Sequence, residues 1–302
     1  MLKLPVLKRG ARVGIFAPSG AITRENLSKG LRCLEAWGFK CHVSEQIFEK
    51  CRYLAGDDAR RASLLIEWAS SGAFDVLWAA RGGYGALRLL PFLEQDLSSL
   101  KHPFWLIGFS DVSILLNYFY QRFGLITLHG PVVASLLDTS LCALGALRCI
   151  LFSQRGVQLT GEAWREGRVC RPLIGGNLAS LVSLLGTPWF PDLRGKILFL
   201  EEVNEPAYRV DRMFTQLALS GALEGVEGLA LGSFTLVKPR FLWELVMEVF
   251  PKGPVVAALP CGHTGQNFPL FIGAETELWA KETEGGLFQR VTFFSESCLQ
   301  NA

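Results

Sequence analysis

Ser110 lies at an abrupt turn between two apolar stretches of the chain, a position that suits a nucleophile. Residues 104–107 form an aromatic-rich run that predicts a buried strand, and residues 112–119 carry apolar side chains at helical spacing. A serine between a strand end and a helix start projects its hydroxyl above the sheet, beside the free N–H groups of the helix. Helix caps favour the same position, so on this stretch alone a capping role for Ser110 or Asp111 is the stronger alternative.

A serine hydroxyl needs a neighbouring base, and the base needs a carboxylate that holds its tautomer. Four histidines are available, at positions 42, 102, 129 and 263. His129 is a rival for the base, but His263 is favoured because glycines flank it at a predicted strand end, where a side chain is exposed. Glu201 follows four apolar residues and should lie at the mouth of a strand. Along the chain the three residues come in the order Ser, Glu, His, which is one of the known orders of the serine–histidine–carboxylate catalytic triad. The Ser110 turn lacks the second glycine of the G-x-S-x-G pattern of the ordinary α/β-hydrolase elbow.

A second informative stretch is the glycine loop, residues 81–85, with the sequence RGGYG. Its adjacent glycines allow backbone N–H groups to point into a site, although Gly-Gly also marks ordinary tight turns. The loop matches neither the phosphate-binding nor the dinucleotide-binding glycine pattern, and we expect no cofactor. Arg81 could pair with a substrate carboxylate or lie on the surface.

The first half of the chain alternates strand and helix patterns, which predicts a parallel α/β sheet. Strands are expected at residues 11–17, 40–43 and 74–79, and helices at 25–37 and 59–70. Ligands of such sheets bind at the carboxyl ends of the strands. The 18–20 loop (Pro-Ser-Gly), the glycine loop and the Ser110 turn (residues 108–111) should therefore lie together.

The second half predicts a separate domain. Residues 153–172 are polar and irregular, which indicates a linker, and we divide the chain into 1–155, a linker at 156–172, and 173–302. A helix is expected from Leu178 to Gly186 and another over 208–217. Strands are expected at 197–202, 228–234, 255–258, 269–280 and 287–294.

Composition limits the kinds of partner. The 302 residues are half hydrophobic and carry a formal net charge of only +2, which argues against nucleic acid as the main partner. No apolar run is long enough for a membrane span or a signal peptide, so a cytoplasmic protein is expected. The eight cysteines contain no C-x-x-C pair and are expected to be reduced, and Cys261 and His263 lack further ligands for a metal site.

Seven blocks in order resemble the LD-carboxypeptidase family of serine peptidases, which includes the muramoyl-tetrapeptide carboxypeptidases and the microcin C immunity peptidases. The blocks are VGIFAPSG from 13, YLAGDDARRA from 53, RGGYGALRLLP from 81, GFSDVS from 108, GGNLASLVSLLGTP from 175, ILFLEEVNEPAYRVDRMFTQL from 197, and PCGHTGQNFPLFIGA from 260. They cover nearly the whole chain; the segment between Phe234 and Pro254 lacks clear family landmarks.

The resemblance implies catalytic roles for Ser110, Glu201 and His263, and an oxyanion hole formed by the N–H groups of Asp111 and Gly83. Arg81 and Gly82 are candidates for substrate binding. The resemblance also implies a flavodoxin-like N-terminal domain, a smaller β-rich C-terminal domain and a homodimer. The expected activity is release of terminal D-Ala from murein tetrapeptides. One alternative is an immunity-type peptidase that acts on peptidyl nucleotides, with Trp189, Phe190 or Trp243 packed against the nucleobase. The other is a sensor of cell-wall peptides that is not an enzyme.

Overall fold

Strands and helices alternate in the first half of the chain. The computed structural model describes residues 4–153, 155–291 and 293–294. The elements of this half are β1 (Leu4–Pro5), β2 (Arg12–Phe16), α1 (Arg24–Ala36), β3 (Lys40–Val43), α2 (Asp58–Ser71), β4 (Val76–Ala79), α3 (Leu90–Asp96), β5 (Trp105–Gly108), α4 (Ser113–Phe123), β6 (Thr127–His129) and α5 (Leu141–Ser153). Short 3₁₀ turns cover Glu45–Phe48, Ala86–Leu89, Ser110–Val112 and Val133–Asp138.

The second half is dominated by strands, as expected. Its elements are β7 (Val157–Arg165), β8 (Gly167–Asn177), α6 (Leu178–Val182), β9 (Ile197–Glu202), α7 (Ala207–Leu219), β10 (Gly228–Phe234), α8 (Pro239–Val249), β11 (Val255–Ala257), β12 (Leu270–Ile272), β13 (Glu275–Lys281), β14 (Glu284–Gln289) and β15 (Phe293–Phe294). Seven of these strands close into a barrel in the order β10-β11-β7-β14-β13-β8-β9. Within the described residues, no helix is both long and apolar enough to cross a membrane.

The first sheet has the order β12-β6-β5-β4-β2-β3, with β2 to β6 parallel. Numbered along the chain, its parallel strands lie in the order 2-1-3-4-5, which is the flavodoxin-like arrangement. The connections leave β2 in opposite directions, so the crevice of this sheet lies between the ends of β2 and β4. The prediction of a flavodoxin-like domain with a second, β-rich domain is confirmed. Its crevice is where the 18–20 loop and the glycine loop begin.

The linker predicted at 156–172 is wrong. These residues form β7 and the first part of β8, two strands of the barrel. Val157 and Leu159 are buried while Gln158 and Thr160 are exposed, so the segment is a strand with one polar face. The side chains on its outward face make the segment look polar in the sequence, which is why a linker was predicted. The helix expected up to Gly186 is also shorter than predicted, because α6 ends at Val182.

Residues 269–280 were expected to form one strand, but they lie in two strands, β12 and β13, that belong to different sheets. β12 pairs antiparallel with β6 at the edge of the first sheet, and β13 belongs to the barrel. Buried Gln289, at the end of β14, binds the strand that crosses over. Its side chain accepts from Phe271 N at 2.9 Å and donates to Phe271 O at 2.8 Å and to Thr276 Oγ1 at 2.9 Å. One side chain thus fastens the barrel to the first sheet.

We expect Gln289→Ala to lower the free energy of unfolding by about 2–3 kcal/mol, because it leaves a buried backbone N–H and C=O without partners. Urea denaturation followed by circular dichroism measures the change. Gln158→Ala, at an exposed position of β7, is the matched control and should change stability by less than about 0.5 kcal/mol. Equal stability of the two variants would show that Gln289 does not fasten the sheets.

Candidate active site

Ser110 stands at the end of β5 in a strained turn. Its backbone φ is +63°, in the left-handed region that non-glycine residues seldom adopt, and such positions cost of order 1–3 kcal/mol. The N-caps of the following 3₁₀ turn and of α4 are Phe109 and Val112, and neither makes a side-chain capping bond. The capping alternative for Ser110 and Asp111 is therefore wrong. The half-buried Ser110 lies on a strand–turn–helix elbow of the kind that presents a nucleophile.

His263 and Glu201 form a close pair from the barrel. Glu201 is fully buried at the end of β9, and its Oε2 lies 2.7 Å from Nδ1 of His263. This contact fixes the ring orientation and leaves Nε2 as the free nitrogen of the imidazole. The ring of Phe109, the residue before Ser110, lies 4.6 Å from the ring of His263, centroid to centroid. The imidazole therefore meets the Ser110 turn across the boundary between the two sheets.

The His263 turn, residues 260–265, depends on a glycine. Gly262 has φ +109°, and a Cβ atom at this position would lie 2.7 Å from Glu201 Oε2 and 2.6 Å from Ser233 Oγ. Buried Asn267 accepts the Gly262 N–H at 3.0 Å and holds the turn in place. Only a residue without a side chain allows the turn to approach the carboxylate so closely.

His129, the rival for the base, lies beneath the site. It is completely buried, with the rings of Phe109 and Phe199 at 6.0 and 5.1 Å, both edge to face. Burial lowers its pKa to about 4, so the ring is neutral near pH 7. Neither ring nitrogen has a hydrogen-bond partner among the described residues. The ring has no exposed nitrogen with which to take a proton from a substrate-facing hydroxyl.

The glycine loop lies directly against Ser110. A Cβ atom on Gly82 would come within 2.9 Å of Ser110 Cβ, so the loop can approach only because Gly82 has no side chain. The Gly82 carbonyl accepts a hydrogen bond from Gly20 N at 3.2 Å. Because the peptide bond between Gly82 and Gly83 is trans, the Gly83 N–H points away from Gly20. Arg81 is exposed and donates from Nη1 to Ala21 O at 2.9 Å, which leaves further N–H donors at the edge of the site.

The side chain of Asp111 has a role that the sequence did not indicate. Its buried Oδ2 accepts from Ser19 Oγ at 2.5 Å and from Ala86 N at 2.8 Å. Burial raises the pKa of this carboxyl, and the two hydrogen bonds and the nearby cation of Arg61 act in the opposite direction. The quoted family blocks contain all four residues, but residue type and spacing alone gave no sign of the contacts between them.

Metal-binding residues are not grouped in the described part of the chain. No cluster of three or more His, Cys, Asp or Glu side chains is arranged there to hold an ion. The seven cysteines within the described ranges are free thiols, and Cys261 is buried beside the His263 turn. Cys298 lies outside the described residues.

Comparison with known proteins identifies the family of this chain. Residues 13–130 match the model of the LD-carboxypeptidase N-terminal domain, and residues 172–278 match that of the C-terminal domain. The chain belongs to the LD-carboxypeptidase family of serine peptidases. The resemblance of the seven sequence blocks is therefore confirmed.

Some relatives of this LD-carboxypeptidase family member are named as carboxypeptidases, and another is named as a microcin immunity protein. A murein tetrapeptide carboxypeptidase of Pseudomonas aeruginosa is 34% identical, over 85% of this chain and 89% of its own length. The microcin C7 self-immunity protein of Escherichia coli is 26% identical over 88% and 90%. The crystal structure of a muramoyltetrapeptide carboxypeptidase from Oxalobacter formigenes superimposes with a TM-score of 0.83 at 28% identity, covering 94% of this chain and all of that one.

We expect His129→Leu to keep most of the reactivity of Ser110, because a buried ring with no hydrogen-bond partner in the described part of the chain contributes packing and no proton transfer. The rate of labelling by a fluorophosphonate should fall less than about tenfold. The free energy of unfolding should stay within about 1 kcal/mol, since an apolar side chain of similar size needs no buried partner. Exposed His102→Leu is the control. A loss of labelling as large as that of His263→Ala would restore His129 as the base.

Proposed function

We propose that this protein is a serine LD-carboxypeptidase that releases terminal D-Ala from murein-derived tetrapeptides. Ser110 is the nucleophile, His263 the base and Glu201 the carboxylate that orients it. The observation that carries the proposal is the placement of the strained Ser110 elbow against an imidazole whose Nδ1 is held 2.7 Å from a buried carboxylate. The name of the Pseudomonas relative supports the substrate class.

In the acylation step, Ser110 Oγ attacks the carbonyl carbon that joins the L-configured centre of the diamino acid to D-Ala. The proton of the hydroxyl passes to Nε2 of His263, and the imidazolium is stabilised by Glu201. The tetrahedral intermediate collapses with cleavage of the C–N bond, and His263 returns the proton to the departing amine. Water then attacks the ester by the same route, which frees the tripeptide and restores the Ser110 hydroxyl.

Backbone N–H donors stabilise the negative charge of the tetrahedral intermediate. We assign these to the N–H groups of Asp111, at the start of the 3₁₀ turn, and of Gly83, which points away from Gly20. Each such donor contributes roughly 3–4 kcal/mol in comparable sites. Gly82 supplies the close approach of the loop to Ser110.

An exopeptidase must also recognise the terminal carboxylate of its substrate. We assign this role to Arg81, whose exposed guanidinium lies at the edge of the glycine loop and retains donors beyond its bond to Ala21. The proposal includes a cytoplasmic location, which the free thiols support. The proposal also includes a homodimer. Exposed apolar side chains, Leu219 on α7 and Trp243 on α8, support it.

The immunity-type alternative requires an aromatic slot for a nucleobase near Ser110. Trp189 and Phe190 line a cavity of about 380 Å³ together with Gln121 and Arg122. These last two residues lie about three turns along α4, which at 1.5 Å per residue is roughly 15 Å from Ser110. We therefore do not assign this cavity to a nucleobase bound next to Ser110.

Ser110→Ala and His263→Ala should each lower D-Ala release from a muramyl tetrapeptide by at least about 10³-fold while the protein stays folded, because each removes one member of a unit that acts together. Mass spectrometry of the released D-Ala measures the rate. Ser98→Ala and His102→Ala, both at exposed positions, are the matched controls and should retain full activity. Normal turnover by Ser110→Ala would exclude it as the nucleophile.

The same assay defines the substrate. We expect the tetrapeptide to be cleaved and the pentapeptide, whose last bond joins two D-residues, to be left intact. Hydrolysis of an aminoacyl-nucleotide amide without hydrolysis of the tetrapeptide would favour the immunity-type alternative, and binding without turnover of any of these would favour the sensor.

A further inference from the structure

Two buried charged side chains hold the glycine loop from opposite sides. At the end of the loop, Asp111 accepts the Ala86 N–H through its carboxylate, and Arg61 binds the Gly85 carbonyl from α2 through its guanidinium. Both side chains are at least 95% buried, and both also contact the 18–20 loop. Burying a charge is costly unless it is paired and hydrogen-bonded, so each group depends on the contacts it makes here.

The Asp111 carboxylate joins the backbone segments that carry the two assigned oxyanion donors. One donor is the N–H of Asp111 itself, and the other is the N–H of Gly83, three residues before Ala86. The carboxylate accepts the Ala86 N–H at 2.8 Å and the Ser19 hydroxyl at 2.5 Å. The separation of the two donors is therefore bridged by a single side chain.

Arg61 binds the opposite side of the same peptide group, because the Gly85 carbonyl and the Ala86 N–H belong to one trans peptide bond. Its Nη1 donates to the carbonyl of Gly85 at 3.0 Å and to the carbonyl of Pro18. Gly85 has φ +134°, and a Cβ atom there would lie 2.9 Å from Nη1, so the guanidinium packs directly against the loop backbone. The charge of Arg61 is paired with Asp58, which also binds Arg88 with Nε distances of 2.9 and 2.8 Å.

We propose that Asp111 is a positioning residue that sets the separation and direction of the two oxyanion donors, with Ser19 completing the link and Arg61 bracing the same peptide group. This inference rests on the proposed function, since it concerns the oxyanion hole of the same site. Neither charged group touches the substrate. They act by holding the glycine loop and the Ser110 turn in the one arrangement that fits the tetrahedral intermediate.

The two kinetic constants, kcat and KM, distinguish misplaced oxyanion donors from weakened substrate binding. The donors bind the oxyanion of the intermediate more strongly than the planar carbonyl of the substrate, so misplacing them lowers kcat and leaves KM nearly unchanged. A loss of substrate binding would instead raise KM. A loss of folding would lower the amount of active enzyme without changing KM or the reactivity of the folded fraction.

The test is steady-state kinetics of D-Ala release for Asp111→Ala and Ser19→Ala. Both hydrogen bonds reach the same oxygen, Oδ2, so Asp111→Ala removes the acceptor of both, whereas Asp111→Asn can keep both through its carbonyl oxygen and should be less impaired. For Asp111→Ala we expect kcat to fall about 30- to 300-fold, approaching the cost of losing one oxyanion donor, with KM within about threefold. Ser19→Ala removes one hydrogen bond and should lower kcat about three- to tenfold. Asp96→Ala, on an exposed position of α3, is the matched control.

A second readout does not depend on the natural substrate. The rate of phosphonylation of Ser110 by a fluorophosphonate also requires donors for the phosphoryl oxygen, and it should fall in parallel with kcat. Circular dichroism and thermal denaturation establish that each variant is folded. If Asp111→Ala does not fold, the result of Ser19→Ala decides the proposal alone.

Unchanged kcat in folded Asp111→Ala and Ser19→Ala would overturn the inference, and so would a rise in KM at constant kcat. Failure of the proposed function is a different result. If wild-type protein reacts with the fluorophosphonate but releases no D-Ala, the substrate assignment fails and the phosphonylation rates alone judge the positioning role. If wild-type protein does neither, both proposals fail.

Discussion

A buried carboxylate, that of Asp111, connects three loops that come from three different strands of the first sheet. It accepts hydrogen bonds from Ser19 after β2 and from Ala86 after β4, and it follows Ser110 after β5. A charged group in this position needs every available donor, so the loops cannot move apart without leaving it unpaired. The strained backbone of Ser110 is held by the same contacts. The candidate site is therefore organised around the crevice that the 2-1-3-4-5 strand order creates.

The barrel completes what the first sheet begins. It carries Glu201 at the end of β9 and His263 after β11, and their contact with the Ser110 turn crosses the boundary between the sheets. Such a site needs a fixed relation between its two halves. β12, which leaves the barrel to pair with β6, and Gln289, which binds it, provide that relation. The fold thus places the proposed nucleophile and the proposed base on separate units and then joins the units by a strand.

Much of the fold was predictable because its signals are local. The helices α1 and α2 and the strands β2 to β5 follow from apolar spacing and from Gly and Pro at their ends. The contacts of Asp111 with Ser19, 92 residues away, could not be read from the sequence, because no local pattern encodes them. The linker prediction was wrong for a related reason: the polar residues of β7 face outward on a strand whose partners are distant in sequence. The strain at Ser110 likewise depends on loops that only the folded chain brings together.

The central claim is that Ser110 is the nucleophile of the peptidase reaction. Titration of the wild-type protein with a fluorophosphonate, followed by peptide mapping and by D-Ala release from the same samples, tests it most directly. We predict one adduct, on the peptide that contains Ser110, and a loss of D-Ala release in proportion to the labelled fraction. D-Ala release that persists in fully labelled protein, or an adduct on another residue that accounts for the loss, would contradict the claim.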